Sequence, residues 1–275
     1  PALGEIVTTS EIFDQQTGEI LAECRQRVSV WRGIPEVLLR IELDPKIEPD
    51  GDPWNTYFTS RFAWKDEDAA LTRGLLQGAH GIRGERIEAP YYLEIASGEL
   101  RTTLLFGGLP FHRRFGSRML DTILIAASET RRTFDFRIAV DEPYPLLAAH
   151  AMLMPPGELF LEQGPGDPTG GWFFHLKERN IQILSIQPIV PSAQWNEPEE
   201  HVETVPELTS GFALRLLETE GRSRRVKLKL FRTPQQARKR DFRGRSIKEL
   251  TIRKETVLIE MRPHELVDVE LLYAD

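Results

Sequence analysis

From residue 211 to the end, apolar and charged residues alternate with a period of two. Phe212, Leu214 and Leu216 form one series and Val226, Leu228 and Leu230 the next. Val257, Ile259 and Met261 follow, then Val267, Val269 and Leu271, with Arg215, Lys227, Lys229, Glu260, Asp268 and Glu270 in between. Successive side chains of a strand point to opposite faces, so each series predicts an antiparallel strand with one buried and one solvated face. No cluster of acids, bases or nucleophiles accompanies these strands, so this end of the chain reads as built for packing.

The same signal recurs upstream. Val37, Leu39, Ile41 and Leu43 alternate with Arg40 and Glu42, and Phe134, Phe136, Ile138 and Val140 with Asp135 and Arg137. Leu93 and Ile95, then Leu104 and Phe106, mark shorter strands around a Ser97-Gly98-Glu99 turn. Turn signals recur at Thr17-Gly18, Arg32-Gly33, Asp50-Gly51 and Gly107-Gly108. This punctuation predicts an all-β sandwich rather than an α/β fold. Short helical turns are expected at Asp66–Leu76, at Tyr144–Met152 after Pro143, and at Pro234–Lys239. Pro155–Gly171 has the composition of a loop, and Pro191–Ser210, with three prolines and five glutamates, that of an acidic linker. Trp172–Ile189 returns to a strand pattern. Two domains are therefore expected, 1–194 and 195–275, the second opening with the linker at 195–210.

The chain has 275 residues and no run of 18 apolar ones, which excludes an apolar membrane-spanning helix. Its formal net charge of −7 argues against general nucleic-acid binding. Cys24 is the one cysteine, so no internal disulfide is possible, and it is expected as a small buried strand residue. No signal peptide pattern precedes Gly4, which points to a cytoplasmic location. The sequence opens on Pro1, already close to a strand pattern, as expected for a piece of a longer chain.

Four segments carry a family resemblance. Leu214-Arg215-Leu216-Leu217-Glu218-Thr219-Glu220-Gly221 and the closing Arg262-Pro263-His264-Glu265-Leu266-Val267-Asp268-Val269 resemble the C-terminal region of glycoside hydrolase family 38 α-mannosidases. So do Asp52 to Trp64 and Phe106-Gly107-Gly108-Leu109-Pro110-Phe111-His112-Arg113-Arg114, followed by Met119-Leu120-Asp121. The resemblance implies a large galactose-mutarotase-like β-supersandwich followed by a small terminal β-sandwich. It places the catalytic carboxylates and a zinc ion in an N-terminal α/β domain that no part of this sequence matches. The implied partner is that missing catalytic domain of the same polypeptide, and no cofactor is expected in this chain. After the His-Arg-Arg tripeptide the sequence departs from the family pattern, with Phe115-Gly116-Ser117 where an acidic pair is usual.

The residues alone point to no reaction. The six histidines show neither i, i+4 nor Cys/His zinc spacing. There is no G-x-S-x-G elbow, G-x-G-x-x-G or P-loop. Retaining glycosidases need two carboxyl groups roughly 5 Å apart, and nothing singles out a pair among 42 acidic residues. For substrate contact the candidates are Arg61, Trp64, His112, Arg113 and Arg114. Guanidinium forks grip carboxylates or sugar hydroxyls, while Trp54, Tyr57 and Trp64 offer stacking faces. The alternative is that the aromatics fill the core and the arginines pair with carboxylates. Basic stretches at 222–225 and 238–245 fit hairpin tips and strand edges guarded against aggregation, and no nucleic-acid partner is expected. The expected function is a non-catalytic β-region of an α-mannosidase-like hydrolase that supports catalysis and contacts carbohydrate. A free-standing carbohydrate-binding module and a mutarotase-like epimerase stay open.

Overall fold

A computed structural model describes residues 2–154, 172–189 and 210–273. The expected loop at Pro155–Gly171 and nearly all of the acidic linker lie outside the described residues. The chain is all-β and divides into two compact units, Pro1–Gly157 and Glu158–Asp275.

The first unit contains β1 (Leu3–Phe13), β2 (Ile20–Trp31), β3 (Glu36–Pro45), β4 (Phe58–Ala63), β5 (Ala70–Leu75), β6 (Gly78–Gly81) and β7 (Arg86–Glu88). It continues with β8 (Tyr92–Ser97), β9 (Leu100–Leu105), β10 (Phe111–Phe115), β11 (Met119–Ile125), β12 (Thr133–Val140) and helix α1 (Pro145–Leu153). An eight-stranded sheet runs β1-β2-β3-β12-β9-β8-β5-β6 and a four-stranded sheet β4-β11-β10-β7. Their inner faces share one core. Ile41, Leu93, Leu104, Phe106, Phe134 and Phe136 come from the large sheet and the turn after β9; Ile87, Leu120 and Leu124 come from the small sheet. Each fully buried aromatic or branched side chain here stabilises the fold by about 1.5–3 kcal/mol. Helix α1 covers part of the large sheet's other face, packing Leu146 and Ala149 on Tyr92 and Leu105.

The second unit contains β13 (Phe174–Leu176), β14 (Ile181–Ile189), β15 (Ser210–Glu218), β16 (Arg224–Leu230) and β17 (Gln236–Arg240). Then come β18 (Ser246–Glu249), β19 (Thr251–Arg253), β20 (Thr256–Met261) and β21 (Leu266–Tyr273). Sheets β13-β16-β20-β19 and β14-β15-β21-β17-β18 enclose a second core. Leu214, Leu216, Val226, Leu228, Val257, Ile259, Val267 and Val269 fill it. The alternating residues of the sequence are therefore its inner faces.

Three expectations change. The division falls at 157/158 rather than 194/195, because β14 is hydrogen-bonded to β15 along its length and β13 to β16. Of the expected helices only the one after Pro143 forms. Asp66–Leu76 is a turn followed by β5. Asp66 caps that turn by accepting the Asp68 amide and the Ser97 hydroxyl, and β5 then pairs with β8. Pro234–Lys239 enters β17, where Arg238 stands beside Glu270 and Arg240 beside Asp268 on β21.

The two terminal sequence motifs meet at one buried carboxylate. Glu218 has no solvent exposure. It accepts the amides of Glu220 (2.9 Å), Arg222 (3.1 Å) and His264 (2.9 Å) and the Asn180 side-chain amide (2.8 Å). Gly221 sits in the turn it organises, at φ +68°, and a Cβ there would meet the His264 ring at 2.7 Å. Glu265 accepts the Arg262 amide, and its own carbonyl accepts the Glu218 amide. The wide separation of the two motifs in sequence thus closes into one hydrogen-bonded knot. Burial opposes ionisation of Glu218, but the donated hydrogen bonds outweigh it and lower its pKa below the ordinary 4.5. Glu218→Ala, which orphans these donors, is expected to cost about 3 kcal/mol in urea denaturation. A group whose folded pKa is lowered stabilises above its ordinary value and loses that contribution as pH falls through the folded one. The advantage of the native chain over Glu218→Gln should therefore shrink progressively below pH 4.5.

Candidate functional site

In the small sheet of the first unit, β11 lies between β4 and β10, and β10 in turn pairs with β7. Register places Arg61, Asp121, Arg113 and Arg86 in one row across the four strands. Alternation puts Phe111, Arg113 and Phe115 of β10 on the outer face and His112 on the inner one. Three guanidinium groups thus share a row with one carboxylate.

Asp121 is 1% exposed, and both of its oxygens are engaged. Arg61 grips it in a two-point fork, Nε to Oδ1 at 2.5 Å and Nη2 to Oδ2 at 2.8 Å. The Tyr57 hydroxyl donates to Oδ2 at 3.3 Å. The Arg61 guanidinium also lies over the half-exposed Phe115 ring, 5.0 Å from its centroid. With both oxygens engaged by Arg61 and Tyr57, Asp121 holds Arg61 in place.

The loop before β4 folds over the other end of the row. Asp52 organises it, accepting the Trp54 amide at 3.0 Å and the Asn55 side chain at 2.6 Å. Arg113 Nη1 donates to the Trp54 carbonyl at 2.8 Å. Arg86 lies 5.2 Å from the Trp54 ring centroid, and Phe111 meets the same ring edge-on at 5.8 Å. The result is a shallow face of alternating cations and aromatic rings. Guanidinium forks supply directional donors and the rings supply apolar planes, the combination that suits a sugar's hydroxyl edge and C–H face.

The sequence candidates separate here. Arg61 and Arg113 share the outer face. Trp64 follows the inward alternation of Phe58 and Phe62 and packs against the core. His112 is fully buried against Phe106, with ring centroids 4.1 Å apart. Its Nε2 donates to the Ala89 carbonyl at 3.2 Å, which fixes the tautomer, and Nδ1 accepts from the Thr122 hydroxyl at 3.0 Å. Arg114 shares His112's side of the strand and donates to the Ser117 carbonyl at 3.0 Å. The reading of His112 as a solute-contacting residue is therefore corrected to a core role, since a fully buried imidazole touches no dissolved sugar; Trp64 is half-buried, with part of its ring packed against the core. The missed contributors are Asp121, Arg86, Phe111 and Phe115. The period-two pattern of Phe111-His112-Arg113-Arg114-Phe115 was the available signal.

Among the described residues no three His, Cys, Asp or Glu side chains gather as a metal site requires.

Two measurements test this geometry. Burial lowers the His112 pKa from 6.5 to about 4, against the raising effect of its backbone hydrogen bonds. The unfolded chain then binds a proton that the folded chain refuses. Stability is complete above pH 6.5 and declines as pH falls toward about 4, by roughly 3 kcal/mol. His112→Gln should remove that pH dependence in denaturation curves. Arg61→Ala strands a buried carboxylate and should cost about 3 kcal/mol by urea denaturation, whereas Arg40→Ala, which leaves a half-exposed Asp135, should cost under ~1 kcal/mol.

No family of known sequences and no curated protein matches this chain. Solved structures do. A glycosyl hydrolase family 38 protein from Enterococcus faecalis superposes with a TM-score of 0.61 at 8% identity, over 99% of this chain and 34% of that one. An α-mannosidase from Enterococcus faecalis V583 gives a TM-score of 0.66 at 9% identity with the same coverage. The chain thus shares the fold of part of these proteins and spans about a third of their length. Among the described residues no helix is long and apolar enough to cross a membrane.

Proposed function

We propose that the chain is the C-terminal β-region of an α-mannosidase-like glycoside hydrolase, inactive alone, which frames substrate for a separate catalytic domain. The observation that carries this reading is asymmetric coverage: nearly the whole chain superposes, on only a third of each solved hydrolase. The order of the sequence motifs supports the same placement. In this reading the parent's zinc ion and acid pair lie in the catalytic domain, which is also this region's principal partner, in the cytoplasm.

The outer face around Arg61 and Arg113 is the proposed carbohydrate contact. Arg113, Arg86 and Phe115 would meet a mannose-containing chain at the rim, while Asp121 holds Arg61 in place. Arg114, next to Arg113 on β10 but on the other side of the strand, lies outside this contact and holds the Ser117 carbonyl instead.

The isolated chain supplied with zinc should not hydrolyse an aryl α-mannoside above the buffer rate. Turnover abolished by replacing a single carboxylate of this chain would overturn the proposal. In calorimetric titration with a mannose-containing oligosaccharide, Arg113→Ala combined with Phe115→Ala should weaken binding by roughly tenfold. Absence of binding by the native chain would remove the carbohydrate contact and leave the framing role.

A further inference from the structure

The second unit treats its two outer faces differently. On the sheet β14-β15-β21-β17-β18 the cations are neutralised. Arg215 forks onto Asp268 at 2.7 and 2.9 Å, Arg238 and Arg240 converge on Glu270, and Lys239 meets Glu265 at 2.5 Å. On the opposite sheet, β13-β16-β20-β19, the outer positions are Arg225, Lys227 and Lys229 on β16, Thr256, Leu258 and Glu260 on β20, and Thr251 and Arg253 on β19. Lys248 of β18 reaches toward the same Glu260, at 3.9 Å.

Arg225 at 3.2 Å and Lys248 at 3.9 Å share the Glu260 carboxylate at one end of this face, while Lys229 and Arg253 flank Thr256 at the other end, with Lys227 between them. Glu178, at the strand edge, accepts the Lys227 amide. Among the described residues, Lys227 and Arg253 have no ion-pair partner, and Lys229 lies over the Trp172 ring at 5.1 Å. The chain carries more acids than bases overall, 42 against 35, so this local excess is not a matter of composition. Edge protection does not explain it either, since β16 and β20 are the two inner strands of the sheet. A groove of about 1000 Å³ adjoins the face; its lining is mixed, with Arg225, Lys248 and Arg253 beside Glu249, Glu265 and the exposed Phe242, and it includes neither Lys227 nor Lys229.

We propose that this face binds a linear anionic polysaccharide through its sulfate groups. Outer side chains on a sheet repeat about every 7 Å along a strand and about every 5 Å across strands, so the cations form a flat lattice for an extended polyanion. The interspersed hydroxyls of Thr251 and Thr256 complement sulfate oxygens and sugar hydroxyls. Single-stranded nucleic acid fits less well, because it needs free aromatic platforms for its bases: Trp172 at this face already carries Lys229, and Phe242 in the adjoining groove carries Arg215. A lipid surface fits the sheet face less well because half-buried Leu258 is the one apolar outer residue on β16, β20 and β19; the exposed Phe242 and Ile247 belong to the groove beside it.

The test is titration of the whole chain with dextran sulfate, neutral dextran and a single-stranded oligonucleotide of matched charge. Dextran sulfate should bind, neutral dextran should not, and affinity should fall with added salt. Lys227→Ser/Lys229→Ser/Arg253→Ser should weaken binding at least tenfold with an unchanged Tm. The control Arg27→Ser/Lys65→Ser/Arg83→Ser removes the same charge from the first unit and should change affinity less than twofold. Should the triple variant unfold, Lys227→Ser alone, at an exposed and unpaired position, should still weaken binding about threefold. No binding of dextran sulfate at low salt, equal losses in both triple variants, or tighter binding of the oligonucleotide would each overturn the proposal.

Discussion

Burial of one face of each sheet governs the molecule. A sheet in a two-layer sandwich surrenders every second side chain of its central strands to the core, and that requirement is non-directional and strong. In both units it leaves chemistry to the outer rows, where charge and aromatic surface meet water. His112 shows the rule at work. Its type suggests catalysis, but its position in β10 commits it to the core, where burial keeps it neutral. Arg113, one residue on, faces the other way and keeps its charge.

The outer rows then follow from register. Asp121 faces Arg61 on one neighbouring strand and Arg113 on the other, and Arg86 completes the row. A one-residue slip would send Asp121 into the apolar core beside Phe106 and expose Leu120, so the apolar pattern fixes the polar one. The loop that begins at Asp52 adds Trp54 and Tyr57 to the row, and its conformation is set largely by bonds to the Asp52 side chain and carbonyl. Arginine placement is thus specified twice, by register from below and by the loop from above.

Much of the fold was legible in the sequence because alternation reports burial directly. The terminal strands, β3, β12 and the β8–β9 hairpin all stand where their apolar residues alternate. The helix after Pro143 was legible from its proline. What misled was local composition. Asp66-Glu67-Asp68 resembles a helix start, but its first carboxylate instead caps a turn into β5. Residues 236–240 carry too many cations to read as a strand until Asp268 and Glu270 are seen beside them, since those partners lie some thirty residues away. The domain boundary misled for a similar reason: a proline- and glutamate-rich stretch looks like a border, yet the strands on either side of it pair with each other. Of the candidate site, the arginines were legible as a type of residue, but their grouping around Asp121 depends on pairing between strands that no local pattern announces.

The carboxylate of Glu218 draws donors from Asn180, from the turn at residues 220–222 and from His264. Sequence neighbours cannot settle that turn by themselves, since one of its restraints arrives from forty residues downstream. The turn at Gly221 is thus completed by contacts that join β15 to the far end of the unit, before β21. Contacts of such sequence separation are the kind that slow folding, because the chain between them must be closed before they form.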